Sequence, residues 1–228
     1  MSKKFLLVTV VISLVALGGC GMAGRAHMKI SPAVKKVAVV SLAVSDWGGS
    51  VKGDSISTTS VHGLMRSATL GMLTYAESEL RQHWKVERVG AFITNRRYQR
   101  AAEDIRVATY SPVVRGREMP LFGPGFKKGD ITPQKARNLC AALHVDAVVL
   151  IFSEWTVKTG AFIPTTKAVS KNVVSFWNKK GEKIYFRRID VVGRKPIGAM
   201  GIKAVNKGTI KQWTWGYETA LKKMFAAI

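Results

Sequence analysis

The chain has 228 residues, 47% of them hydrophobic and six of them tryptophan, which excludes a disordered stalk and suffices for one sizeable folded domain. Lysine and arginine number 36 against 14 acidic residues, a formal net charge of +22, so the partners of its surface are expected to be anionic. Two cysteines, Cys20 and Cys140, are too few for a disulfide framework, and the core must hold itself together.

Lys3 and Lys4 precede Phe5 to Leu17, thirteen mostly apolar residues broken only by Thr9 and Ser13. As a helix this run spans about 20 Å, short of the ~30 Å bilayer core, and suits a signal peptide better than a permanent span. Leu17-Gly18-Gly19-Cys20 follows and resembles the lipobox of bacterial lipoproteins. That resemblance implies cleavage of residues 1–19, acylation of Cys20, and attachment to the outer membrane on its periplasmic face, since Gly21 lacks the retention aspartate. Loss of Lys3 and Lys4 leaves 34 basic against 14 acidic residues, +20. Residues 20–36, with Gly, Ala, Ser31 and Pro32, read as a tether.

Residues 37–228 are expected to form a single α/β domain. Val37 to Val44 is nearly continuously apolar and fits a strand covered on both faces. Asp46 to Ser60 reads as a loop. Leu64, Ala68, Met72, Ala76 and Leu80, widened by Met65 and Leu73, predict a long helix over about His62 to Gln82, where Gly71 suggests close packing on a neighbour. Trp84 to Val89 predicts a strand, and Thr94 a cap for a short helix carrying Tyr98, Ala102 and Ile105. Val107 to Ile131 has no period and reads as a long loop. Thr132-Pro133 starts a helix whose buried stripe is Ala136, Leu139, Cys140 and Leu143, which makes Cys140 a core residue. Ala147 to Phe152 is a second buried strand, expected beside Val37–Val44 at the centre of one sheet. Lys167 to Val192 predicts a hairpin turning at Asn178-Lys179-Lys180-Gly181. Met200 to Val205 could add a strand, and the chain ends in a helix with Tyr217, Leu221, Met224 and Ile228 on one face.

The fold class is therefore α/β, a single mixed β-sheet flanked by helices with a C-terminal helix. The apolar strand, the long helix, and the Thr132–Leu143 helix running into Leu143-His144-Val145-Asp146-Ala147-Val148 carry a resemblance. The pattern over about residues 35–190 is similar to the α/β domain shared by the curli-secretion lipoprotein, the lipoprotein activators of penicillin-binding proteins, and the amino-terminal domain of TolB. It implies an accessory role in envelope assembly or export.

Catalytic patterns are sparse. Gly53-Asp54-Ser55-Ile56 resembles the nucleophile block of the GDSL esterases, but no Asp-x-x-His follows to supply a base. His27, His62, His83 and His144 are scattered, so no metal site is expected, and no phosphate loop or dinucleotide motif implies a cofactor. The expectation is no enzyme. The alternative is a periplasmic hydrolase with a site assembled from distant residues. Trp177, Trp213 and Trp215 raise sugar stacking, although such residues more often bury area. A pore wall is excluded for the hairpin, because Arg187 and Arg188 would place a charge on each face of its return strand.

The charge is concentrated. Residues 158–211 hold thirteen basic residues against Glu182 and Asp190, a net +11. Lys179, Lys180, Lys183, Arg187, Arg188, Arg194 and Lys195 are the expected binding residues. Lys183, Tyr185, Arg187 and Ile189 should share one strand face, with Arg188 on the other. Nucleic acid is mostly absent beyond the inner membrane, so the expected partners are anionic lipid, lipopolysaccharide, cell wall or an acidic polymer, or an envelope protein complex.

Overall fold

Apolar β-branched residues on both sides of a strand demand cover on both sides, and β1 (Lys36–Ser45) has it: Val37 to Val44 are all buried. In the computed structural model, which describes residues 30–45, 58–103, 109–121, 130–162, 164–199, 205–226 and 228, β1 lies in a six-stranded mixed sheet. The leader, Cys20, the tether up to residue 29, Gly53–Ile56, Ile105 and residues 200–204 fall outside that description. β1 leads through α1 (Thr58–Leu80) to the parallel edge strand β2 (Lys85–Glu87). Two short helices follow, α2 (Val89–Phe92) and α3 (Arg96–Ala102), then β3 (Thr109–Tyr110), which pairs antiparallel with the end of β1. β4 (Val113–Val114) and β5 (Arg117–Glu118) form a separate small hairpin. α4 (Pro133–Leu143) leads into β6 (Ala147–Thr159), parallel to β1, and β7 (Thr165–Asn178) and β8 (Lys183–Ala199) continue antiparallel before α5 (Ile210–Phe225). The strand order is β2-β1-β6-β7-β8.

β1 and β6 are thus neighbours inside one sheet, as their apolar runs require. The crossovers go opposite ways along the sheet, so right-handedness puts their helices on opposite faces. α1 and α5 pack together on one face, and α3 and α4 pack together on the other. Phe176 of β7 belongs to the α1/α5 face, with its ring 5.3 to 6.2 Å from those of Trp84, Tyr185 and Phe225. α5 is fixed at three heights. Trp213 stacks on Trp155 and its Nε1–H donates to the Thr156 carbonyl at 2.9 Å. The Tyr217 hydroxyl donates to Met72 on α1 at 3.2 Å, and that of Tyr185 donates to the Met224 carbonyl at 2.9 Å. Beneath the helix a buried polar knot is closed. Asn172 Oδ1 accepts from Ser153 and Ser170, while its amide donates to the Ser170 and Ile189 carbonyls. Such satisfaction is what makes buried polar groups tolerable.

Several expectations are corrected. Gly71 faces solvent, and a Cβ there would meet nothing within 4 Å, so no close packing explains it. α3 is capped by Asn95, whose side chain accepts the Arg97 N–H at 2.8 Å, and not by Thr94. β2 is three residues long because Val89 already turns into α2, its N–H held by the buried Glu77 carboxylate at 2.8 Å. The long-loop reading of Val107 to Ile131 overlooked β3 and the β4–β5 hairpin, which turns on Arg115 and Gly116, both at positive φ. The hairpin strand after Val192 runs on to Ala199. Ile228 lies beyond the end of α5. The Thr132 cap holds: its hydroxyl accepts the Lys135 N–H. Cys140 is buried, and burial pushes its thiol up to about 12.

Candidate functional site

β6 and β7 pair over thirteen consecutive positions, from Ala147 opposite Asn178 to Thr159 opposite Thr166. At ~3.3 Å per residue the two ends of this ladder are about 40 Å apart. The seven basic residues expected to act together are spread along that length.

Lys179, Lys180 and Lys183 sit at the end where the chain comes into β1. The Lys179 ammonium pairs with Asp146 at 3.1 Å, and Asp146 Oδ2 also accepts the Lys35 and Lys36 N–H groups at 3.0 and 3.1 Å. Those backbone donors, Lys35 first, hold the Asp146 carboxyl below the usual range. Lys183 pairs with Asp130, and its amine lies 5.2 Å from the ring centres of Trp177 and Phe186; burial lowers its pKa. Lys180 is exposed, but its carbonyl accepts from Arg137 on α4. The tip itself is rigid. Asn178 Oδ1 accepts the N–H groups of Lys180 and Glu182, and Gly181 has φ +82°.

The expected shared strand face is broken by a bulge. Tyr185 pairs with Phe176, whereas Lys183 pairs with the next residue, Trp177, so the two point to opposite faces. Arg187 stays with Tyr185 and donates to the Lys223 carbonyl at 3.2 Å, near the negative end of α5. Arg188 forks onto Asp190, Nε to Oδ1 and Nη2 to Oδ2, both at 3.1 Å. Lys179, Lys183, Arg187 and Arg188 are thus engaged within the fold, whereas the exposed Lys180 is held through its backbone alone. Asp130 and Asp146, distant in sequence, supply counter-charges that a local count of acids misses.

The opposite end of the sheet differs. There Lys158 stands directly across from Lys167, and Lys167 across from Pro196. Like charges at facing positions repel, and among the described residues no carboxylate lies within 4 Å of either ammonium. Glu154 and Asp190, two rows inward, are engaged by Lys171 at 2.7 Å and by Arg188. Arg194 lies 4.4 Å over the ring of Trp215, and the Lys195 N–H donates to Gln212 on α5 at 3.0 Å. Lys207 and Lys211 flank the start of α5. Among the described residues none of Lys158, Lys167, Arg194, Lys195, Lys207 and Lys211 has a carboxylate within 4 Å. Between Lys158 and Lys167 the β6–β7 turn presents Phe162, fully exposed. Of the residues expected from sequence, this end contains only Arg194 and Lys195. Lys158 and Lys167 belong to the basic stretch 158–211 but not to the expected binding residues, because the pairing that sets them face to face, β6 with β7 around Phe162, is not the hairpin expected from the sequence.

Trp213 and Trp177 are buried and offer no platform for a sugar ring. Among the described residues no three histidine, cysteine or acidic side chains come together as a metal site, and no helix is long and apolar enough to cross a membrane.

No family model and no curated protein matches the chain. Solved structures similar to it include lipoprotein GNA1162 of Neisseria meningitidis, at 10% identity and TM-score 0.36, covering 83% of this chain and 99% of that one. The hypothetical protein CT253 of Chlamydia trachomatis is 12% identical, with TM-score 0.39 over 86% of this chain and 99% of its own. A Helicobacter pylori protein described as a neuraminyllactose-binding hemagglutinin homolog is 12% identical, with TM-score 0.36 over 91% and 92%. At these scores the likeness extends to no residue of the site.

Proposed function

We propose that this protein is a lipid-anchored, non-catalytic accessory module of the bacterial envelope whose far basic end docks on an anionic surface. The observation that carries the reading is the set of six cations at this end of the sheet that, among the described residues, have no carboxylate within 4 Å, together with the exposed Phe162 in the turn between Lys158 and Lys167. Near an anionic membrane each such residue contributes about 1 kcal/mol, within a Debye length of ~8 Å at physiological salt. An exposed aromatic flanked by lysines is what an interfacial contact uses, with the ring at headgroup depth and the ammonium groups among phosphates. The lipobox-like Leu17–Cys20 supports the anchor and, with Gly21, the outer-membrane address. The chain enters β1 at the other end of the sheet, so the basic end is free to meet a surface other than the one nearest the anchor.

The test places the full chain in phosphatidylcholine nanodiscs and mixes them with phosphatidylglycerol or phosphatidylcholine vesicles. Binding is expected only to the anionic vesicles and is weakened by salt. Lys158→Glu/Lys195→Glu/Lys211→Glu should weaken it by about 100-fold or more, as three lost contacts of ~1 kcal/mol plus their reversal imply. Lys179→Glu/Lys180→Glu, at the opposite end, should leave it intact. Equal binding to both vesicle types, or loss only in the second variant, refutes the assignment.

A further inference from the structure

The second and third turns of α1 and the first turn of α5 leave a groove of about 870 Å³ between them, at the end of α5 that carries Lys207 and Lys211. Its floor is apolar, formed by Leu64 and Ala68 from α1 and by Val205 and Ile210 from the approach to α5. The rim on the α5 side carries Lys207 and Lys211, both exposed and, among the described residues, without a carboxylate in reach. The turn that presents Lys207 is fixed, because Asn206 Oδ1 accepts the N–H groups of Gly208 and Thr209 at 2.8 and 3.0 Å. We propose that this groove takes one acyl chain of an anionic phospholipid, its phosphate held by Lys207 and Lys211.

Size, polarity and charge agree on that occupant. The volume lies in the ~300–1,000 Å³ range of small-ligand sites, and such sites pair an apolar lining with a few placed polar groups. A ligand with one apolar tail and one anionic head matches a floor without charges and a rim with two. An amphipathic peptide helix fits less well, since it needs apolar anchors along several of its turns. Leu64 to Ala68 offers one helical turn, about 6 Å. The inference rests on the proposed contact between this end and anionic lipid, and it adds a specific seat for a single molecule.

The experiment mixes the full chain in phosphatidylcholine nanodiscs with phosphatidylcholine vesicles doped with phosphatidylglycerol bearing a photoactivatable group at the end of one acyl chain. Irradiation and peptide mapping should find labels in the segments holding Leu64–Ala68 and Val205–Thr214. Ser67→Trp fills the mouth of the groove from an exposed position and should cut this labelling about tenfold, the equivalent of ~1.4 kcal/mol. Lys207→Glu/Lys211→Glu should do the same, and a phosphatidylcholine photoprobe should label about tenfold less well, as two cations at ~1 kcal/mol each predict. Inorganic phosphate at millimolar concentration should not compete. Labels confined to other segments, labelling indifferent to Ser67→Trp, or equal labelling by the choline probe overturns the proposal. Displacement of the probe by an acidic amphipathic peptide at equimolar ratio reassigns the groove to a peptide and also overturns it. The two readings fail separately: loss of vesicle docking in Lys158→Glu/Lys195→Glu with groove labelling intact marks the surface and the groove as distinct sites. Intact labelling with no vesicle docking in the parent removes the surface reading alone.

Discussion

Replacing Asp146 should loosen the junction where three segments meet, and the loss should depend on pH. One carboxylate there accepts the Lys35 and Lys36 N–H groups at 3.0 and 3.1 Å and the Lys179 ammonium at 3.1 Å, tying the start of β1 to β6 and to the hairpin tip. Hydrogen bonds to a charged group are worth about 1.5–3 kcal/mol each when buried. The Asp146 side chain is 26% exposed and Lys179 68%, so the backbone bonds belong at the low end of that range and the ion pair adds little. Asp146→Ala should then destabilise by about 2–3 kcal/mol at pH 7, and Asp146→Asn, which keeps one acceptor, by about 1 kcal/mol. The folded-state pKa is depressed, mainly by the Lys35 N–H. The stabilisation is therefore fully present above the unfolded value of ~3.9 and is lost as pH falls through the folded value. Urea unfolding of parent and variants from pH 7 to pH 2.5 reads this directly. The gap between parent and alanine variant should hold down to about pH 4 and narrow below it. A gap constant from pH 7 to pH 2.5, or an asparagine variant as stable as the parent, refutes the reasoning.

Gly71→Ala places a methyl where nothing lies within 4 Å, in the middle of a solvent-facing helical turn, and should stabilise by about 0.5–1 kcal/mol in the same urea assay. Gly181→Ala has the opposite sign: at φ +82° its Cβ would lie 2.5 Å from the Pro133 carbonyl oxygen, and a loss of about 2 kcal/mol or more is expected. Cys20→Ala should leave an uncleaved precursor without lipid label on a gel; normal maturation of that variant removes the lipoprotein assignment.

The parts legible in the sequence are those with one dominant force. Val37–Val44 and Ala147–Phe152 announce a sheet interior because unbroken apolar runs have nowhere else to go, and they do lie side by side. Thr132-Pro133 announces a helix start because a hydroxyl and a proline solve the same problem of unpaired N–H groups. β3, β4 and β5 escaped because two residues carry no period. The charge distribution escaped for another reason. Net charge per segment is a sum along the chain, but neutralisation happens in space, and Asp130 and Asp146 reach lysines 53 and 33 positions away. A one-residue bulge between Phe176 and Trp177 then moved Lys183 off the face predicted by strict alternation.

The same distinction separates cations that hold the fold from cations that burden it, and Lys158 is the sharpest case. It faces Lys167 across a ladder position, exposed, with no carboxylate within 4 Å among the described residues. Facing like charges destabilise a sheet by up to about 1 kcal/mol, and an opposite pair at the same position stabilises it by a similar amount. Lys158→Glu turns repulsion into a cross-strand ion pair and should raise unfolding free energy by about 0.5–1 kcal/mol, allowing for solvent screening. The same change removes one of the cations proposed to meet an anionic surface and plants a negative charge there. Docking to phosphatidylglycerol vesicles should fall by about tenfold or more. A residue kept only as a solvated surface lysine predicts neither effect together. Urea unfolding and vesicle flotation on one preparation decide it: higher stability with weaker docking is the expected pairing, and lower stability or undiminished docking refutes the role assigned to this end of the sheet.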